Sequence, residues 1–345
     1  MHSATEVRAN MAGETVLVTG ATGFTGAVLA RKLCEHGARV RAIARPSSNL
    51  GPLQGLPIEW HMGDVFDPAV VDKAAAGVKY IFHVAAAYRQ AGLADDAYRQ
   101  VHIESTRRLA ESAMKNPGFK RFIHVSTVGV HGHIERPPAD ENYPFAPGDI
   151  YQDTKAEAEI WIRDFARNSG LPVTVMRPAA IYGPGDRRLL KIFKMAAWQV
   201  CLLPGRARGQ LYHMIHVDDL TEALMLAAVH PAALGEVFIC GDPAALALAD
   251  ILEIIGAEYG RKVRILSIPS WPLFFAARVC EAVCRPLGIA PPIYRRRVAF
   301  FTKDRSFNTN KLRERLGYVC RRSTEQGLRE TARWYLEQGW VKVRR

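Results

Sequence analysis

The chain has 345 residues, 48% apolar and 23% charged. That balance excludes a low-complexity, collagenous or disulfide-stapled chain and leaves room for one large α/β domain and a smaller lobe. The formal net charge is +12, but no zinc-finger, helix-turn-helix or aromatic-basic motif accompanies it, so nucleic acid is not an expected partner.

Residues 1–12 are polar and lack an apolar signal region, and read as a disordered leader. Residues 15–19 (TVLVT) form a buried-strand pattern, followed by a helix over 27–36 that Gly37 ends. Strands follow at 40–44 and 58–61, a helix at 68–76, and a strand at 80–84. A long amphipathic helix covers 98–115, then a strand 121–125, a helix 153–168 and a strand 172–176. This alternation predicts βαβ units around a parallel sheet with helices on both faces. Beyond Arg177, Pro and Gly loosen the pattern. Helices are expected at 217–228, 246–259, 271–284 and 324–338, with a strand at 236–240 returning to the sheet. The expected fold is therefore an α/β, Rossmann-type doubly wound parallel sheet over 13–177. A smaller, mostly helical substrate lobe follows over 178–345, and the crevice between the two is the expected ligand site.

No apolar run reaches membrane-spanning length. The cysteines (Cys34, Cys201, Cys240, Cys280, Cys284, Cys320) are scattered without a C-x-x-C pair, which fits a reduced, cytoplasmic setting. Cys280 and Cys284, one helical turn apart, read either as a metal half-site or as two buried apolar residues, and no metal is expected. The late excess of positive charge includes Arg278, Arg285, Arg295, Arg296, Arg297, Lys303, Arg305, Arg344 and Arg345. Beside the apolar helix from Trp271, it reads either as peripheral contact with an anionic membrane or as a solvated basic face.

Gly20-Ala21-Thr22-Gly23-Phe24-Thr25-Gly26 follows the first strand and opens the first helix. Gly20 permits a tight turn, Gly23 lets backbone approach a pyrophosphate, and Gly26 allows close packing of helix on strand. The helix N-terminus adds unpaired N–H groups and a positive dipole end. The second strand ends Ile43-Ala44-Arg45-Pro46-Ser47-Ser48, with no carboxylate for a ribose 2′-hydroxyl. Arg45 with Ser47 or Ser48 suits a 2′-phosphate, which favours NADP over NAD; stacking of Arg45 on the adenine would leave NAD usable.

Tyr151-Gln152-Asp153-Thr154-Lys155 is a Y-x-x-x-K, whose ends share one helix face. An ammonium beside a phenol favours the phenolate. Lowering a phenol from about 10 to near 7 takes about 4 kcal/mol, which Lys155 and a cationic nicotinamide could supply together in a dry cleft.

With its G-x-x-G-x-x-G spacing, this Y-x-x-x-K, Arg177-Pro178 with Ile181-Tyr182-Gly183-Pro184-Gly185-Asp186, and His216-Val217-Asp218-Asp219, the chain resembles the extended short-chain dehydrogenase/reductase superfamily over residues 14–340. The resemblance implies that Tyr151 is the general acid or base, that Lys155 binds the nicotinamide ribose, and that Thr127, five residues before Gly132, orients the substrate oxygen, with Ser126 as backup. It implies that Asp64, next to Val65, takes the adenine amino group, and that Ala85, Ala86 and Ala87 lie against the cofactor ribose. Pro178, Ala180 and Ile181 are implied on the nicotinamide side. His102 stands where the family carries an Asn supporting the active-site backbone. Tyr88, Val128, Tyr182 and Tyr212 are implied at the substrate.

Members resembling UDP-galactose 4-epimerase grip a diphosphate with an Asn and an Arg at positions that read Ala180 and Tyr212. Here Arg187, Arg188, Arg206 or Arg208 would have to substitute. Arg187-Arg188-Leu189-Leu190, Ser267-Ile268-Pro269, the helix from Trp271 and the segment from Phe301 to Phe307 look more like the 3β-hydroxysteroid and 4-carboxysterol 3-dehydrogenase branch. Leu316-Gly317-Tyr318 also matches, but the sugar enzymes share it. The implied activity is an NAD(P)-dependent oxidoreductase on a hydrophobic, steroid-like small molecule, acting as monomer or homodimer. The alternatives are a redox-neutral nucleotide-sugar epimerase or dehydratase and a catalytically idle NADP-binding sensor.

Overall fold

A computed structural model describes residues 4–87, 94–205, 208–284 and 304–343, together with 286, 288, 289, 291–293, 298 and 302. Tyr88, Arg206, Arg285, Arg295, Arg296, Arg297, Phe301, Lys303, Arg344 and Arg345 lie outside the described residues.

The β-branched and apolar runs become strands, those in the middle of the sheet buried on both faces, as a sheet covered by two helix layers requires, and the edge strand Ile58–Met62 largely not. They are β1 (Thr15–Thr19), β2 (Arg39–Ala44), β3 (Ile58–Met62), β4 (Tyr80–His83), β5 (Arg121–Val125), β6 (Val173–Pro178) and β11 (Val237–Cys240). Among the described residues these seven form one sheet in the order β11-β6-β5-β4-β1-β2-β3, every neighbouring pair parallel. The order reverses at β1 and β4, so the loops after these two strands diverge and leave a crevice at their C-terminal ends.

One apolar core fills the sheet face beneath α2 (Phe24–Glu35) and α8 (Val217–Val229). A second fills the other face beneath α3 (Pro68–Ala75), α5 (Ser105–Met114) and α6 (Ile150–Ser169). A third belongs to the second lobe and joins α7 (Leu190–Ala196), α9 (Leu248–Glu258) and the helix Thr324–Glu337. Elements from the late sequence thus serve different layers: β11 extends the sheet as expected, α8 covers it, and short parallel pairs stitch the lobe. β7 (Ala180–Tyr182) pairs with β10 (Met214–His216), and β8 (Val200–Pro204) with β13 (Arg264–Ile268).

Two expectations are corrected. The leader is not a disordered segment over its described part: Ala4–Met11 is a helix, α1, with Met11 fully buried in the first core. Val7 and Met11, four residues apart, supply the apolar contact that a polar composition conceals. The long helix over 98–115 is present but not α-helical throughout. It runs as α4 (Asp95–Arg99), a π-helical turn Gln100–Glu104, and α5. Such turns insert a residue into the α-helical ladder and are frequent at functional sites.

Candidate functional site: a dinucleotide crevice with a Tyr-Lys pair

The loop Gly20–Gly26 is shaped by contacts that only glycine allows. Gly20 has φ +72°, and a Cβ there would meet the Ala85 backbone at 2.8 Å. The loops after β1 and β4 therefore touch backbone to backbone at the floor of the crevice. A Cβ on Gly26 would sit 2.1 Å from the Gly20 carbonyl oxygen. Gly23 caps α2 with backbone alone, and the first turn of α2 contains no acidic residue. The result is an open, positive helix end over a side-chain-free cradle, which fits a pyrophosphate. Thr22, Phe24 and Thr25 belong to this turn and the start of α2. Phe24 also lies under the Arg188 guanidinium, 5.3 Å from ring centre to Cζ. From the sequence, that second-lobe residue was read as a substitute diphosphate grip and as part of the steroid-branch likeness, not as a partner of Phe24.

Arg45 and Ser47 are exposed beyond β2. Asp64 is exposed beyond β3 and does not cap α3. Asp67 does that, accepting from the N–H groups of Ala69 and Val70. The Asp64 carboxylate is thus not committed to the start of α3. Val65 packs on the second core.

The loop Val84–Ala87 is pinned by two side chains. Ala85 N–H donates to Thr19 Oγ1 (3.2 Å), and Ala87 N–H donates to His102 Nε2 (3.0 Å). Because Nε2 accepts, the proton sits on Nδ1, which donates to Thr154 Oγ1 at 2.7 Å; Thr154 in turn donates to the Ile150 carbonyl. The His102 ring lies edge-on to Tyr151, centroids 5.4 Å apart. His102 thus supports the active-site backbone in place of Asn and ties it to the helix that carries Tyr151 and Lys155. Burial, with the nearby Lys155 charge, pushes its pKa down to about 2, so the ring is neutral.

Helix α6 starts at Asp149, whose carboxylate accepts from Gln152 N–H. Tyr151 is in the first turn and Lys155 one turn on, buried. Lys155 Nζ donates to the Val125 carbonyl (2.7 Å) at the end of β5, two residues before Thr127. Thr127 Oγ1 accepts from Gly129 N–H (3.0 Å), which leaves its own proton free to donate. Gln152, not noticed in the sequence, reaches the same turn: Gly148 N–H donates to its Oε1, and its Nε2 lies 3.4 Å from where a Cβ on Gly129 would stand. The helix is clamped to β6 by the buried pair Arg177–Glu159, with Nε to Oε2 at 3.0 Å.

Burial pushes the Lys155 pKa down to about 8, with Glu159 opposing. Beneath it stand two buried histidines the sequence reading passed over, His83 and His124, which are register partners across β4 and β5. His83 is held neutral, its pKa pushed to about 3 mainly by burial, between Thr19 Oγ1 (2.8 Å) and Ser105 Oγ (3.1 Å). Both ring nitrogens of His124 and the Ser126 hydroxyl are buried without protein partners. The only signal for this layer was a histidine near each strand's C-terminal end. Ser126, the backup for Thr127, is buried behind it.

Two substrate assignments are corrected. Tyr182 and Tyr212 are buried in the second lobe's core and do not face the crevice. The Tyr182 hydroxyl faces Asp242 Oδ2 (3.4 Å) and the Thr324 carbonyl (3.3 Å), and its ring packs edge-on to His216. Tyr212 lies beneath Arg305, Cζ 5.8 Å from the ring centre. Val128 is half-buried beside Thr127, and Pro178 is buried; Ala180 is exposed and Ile181 half-buried. Among the described residues no group of three or more His, Cys, Asp or Glu could hold a metal. Cys280 and Cys284 face each other, Sγ to Sγ 3.8 Å.

Asp242 gives a pH prediction. It is fully buried, accepts from Thr324 Oγ1 (2.8 Å), and has one oxygen without a protein partner. Burial raises its pKa from 3.8 to about 7. A carboxyl raised on folding leaves stability intact below about pH 4 and removes it as pH climbs toward 7, by up to roughly 4 kcal/mol. Melting temperatures measured across this window should fall with pH, and Asp242→Asn should flatten that fall. An unchanged slope in the variant refutes the assignment.

The profile of the NAD dependent epimerase/dehydratase family matches residues 16–241. A 3 beta-hydroxysteroid dehydrogenase/Delta 5-->4-isomerase from Mycobacterium tuberculosis is 30% identical over 342 residues, covering 93% of this chain and 90% of the relative. Sterol demethylase protein B from Methylococcus capsulatus is 38% identical over 178 residues, 50% of this chain and 53% of the relative. Among solved structures, that of gox2253 is similar at a TM-score of 0.81 and 29% identity, covering 96% of this chain and 100% of that one.

Proposed function

This chain belongs to the NAD dependent epimerase/dehydratase family, and from that premise we propose that it is an NADP-preferring oxidoreductase acting on a hydroxyl or carbonyl of a hydrophobic, sterol-like ring. The observation that carries the reading is the anchoring of Tyr151, Lys155 and Thr127 at one end of a dinucleotide crevice. Two facts favour a lipid-like substrate over a sugar nucleotide. The positions that would grip a diphosphate are Ala180 and a core tyrosine, Tyr212. The relatives named for 3β-hydroxysteroid and sterol chemistry share either the length of the chain or its higher identity.

When bound, the nicotinamide dinucleotide supplies or takes up the hydride. The chain does the rest. The Gly20–Gly26 cradle and the N-terminus of α2 hold the phosphates. The loop Val84–Ala87, fixed by Thr19 and His102, gives the ribose a flat backbone surface. The Lys155 ammonium, fastened to the Val125 carbonyl, bears on the ribose and on the Tyr151 hydroxyl. The Tyr151 hydroxyl gives a proton to a carbonyl oxygen undergoing reduction, or removes one from an alcohol undergoing oxidation. The unused Thr127 hydroxyl proton fixes that oxygen.

The preference for NADP is read from Arg45, exposed with no ion pair among the described residues. Replacing Arg45 with Asp is expected to weaken NADP binding by about tenfold to a hundredfold, the worth of one charged hydrogen bond to phosphate, while NAD binding holds. Titration of both cofactors against both proteins checks this, and equal losses for the two refute it. The reaction class is tested by incubating the enzyme with NADP or NAD and 3β-hydroxysteroids or 4-carboxysterols and following reduced-cofactor absorbance. Net reduction supports the proposal. Isomerised or dehydrated sugar nucleotide without net reduction, or cofactor binding without turnover on either class, overturns it.

A further inference from the structure

The helix α10 (Trp271–Cys284) is packed by one side only. Ala277 and Glu281 are buried. Opposite them Trp271, Phe275, Val279 and Val283 recur every fourth residue with exposures of 72%, 66%, 47% and 57%. That spacing keeps all four along one face of a helix. The strand pair β8–β13 also exposes apolar side chains: Leu266 on β13, five residues before α10 begins, is in register with Leu202 on β8, both exposed, and Val200 and Trp198 are exposed as well. Scattered exposed apolar residues need no explanation, but an ordered row of four along one helix face, with further exposed apolar side chains on the preceding strand pair, marks a contact surface.

The charge around this row decides what it contacts. Lys262, Arg264 and Arg278 are exposed and have no ion pair among the described residues. The carboxylates of α9, the helix before β13 in the chain, are already taken, Asp250 and Glu253 by Arg208 and Glu258 by Arg333. A second copy of the chain would set this positive rim against itself. An anionic bilayer supplies both an apolar layer and negative charge, and tryptophan is at home at its boundary. No helix among the described residues is long and apolar enough to cross a membrane, and the 14 residues of α10 suit a helix lying along the surface.

We propose that the outer face of α10, with the β8–β13 edge, docks this protein on an anionic lipid surface. The docking does not depend on the substrate class, and its test reads binding separately from turnover. The full chain is sedimented with vesicles of phosphatidylcholine alone or phosphatidylcholine doped with phosphatidylglycerol. Partition is expected into the doped vesicles and not the neutral ones. Arg264→Gln and Arg278→Gln should each lower it about fivefold. The double variant Phe275→Asp with Val279→Asp should lower it more than tenfold, with melting temperature and NADP affinity unchanged. The proposal is overturned if neither vesicle retains the protein. It is equally overturned if doped vesicles retain the double variant, or if the chain self-associates through a contact that Phe275→Asp abolishes.

Discussion

Replacing Tyr151 with Phe is expected to lower kcat by about a thousandfold, within the range that a positioned general acid or base contributes, and to leave cofactor affinity within a factor of about three. At 1.36 kcal/mol per decade this is roughly 4 kcal/mol of transition-state stabilisation from one hydroxyl. The substitution keeps the ring that meets His102 edge-on, so little structural loss should accompany it. Lys155→Met is the contrasting case. It deletes a buried ammonium bonded to the Val125 carbonyl, so it should weaken cofactor binding as well as turnover. Steady-state kinetics with a cofactor titration on both variants checks the split. A Tyr151→Phe enzyme keeping more than a tenth of its turnover would remove Tyr151 from the chemistry.

The sheet was legible because its signal is local. Runs such as Thr15–Thr19 are buried on both faces, and the glycines after them sit in fixed order, so each piece announces itself within a few residues. The Tyr-Lys pair was legible for the same reason, since four residues on a helix define one face. What was missed depends on contacts between distant segments. The π-helical turn at Gln100–Glu104 leaves the hydrophobic period almost intact. It goes with the bonds His102 makes to Ala87 and to Thr154, 52 residues away. Tyr182 stands beside a recognised motif, but Asp242 and Thr324, 60 and 142 residues on, draw it into the core. Met11 looked like part of a tail because one buried turn carries too few apolar residues to register as a pattern.

Gly26→Ala tests the cradle by steric means alone. Alanine within a helix gains about 1 kcal/mol over glycine in propensity, so with open space around it the substitution would stabilise the protein. Here the added Cβ would lie 2.1 Å from the Gly20 oxygen and 2.6 Å from its carbonyl carbon. Both are backbone atoms of a loop that is itself pressed against Ala85. No flexible side chain can yield, so either α2 shifts outward or the Gly20 turn opens. Overpacking of this kind typically costs about 1–3 kcal/mol, enough to cancel the propensity gain. The larger effect falls on binding, because the same shift moves the N–H groups of the α2 N-terminus that would hold the phosphates, and charged hydrogen bonds worth about 1.5–3 kcal/mol each depend on their aim. Cofactor affinity should drop by about a hundredfold or more while the melting temperature of the unliganded protein changes by a few degrees. Calorimetric titration and thermal melting on one preparation separate the two quantities. A variant binding NADP and NAD as tightly as the parent would mean that the loop does not carry the dinucleotide.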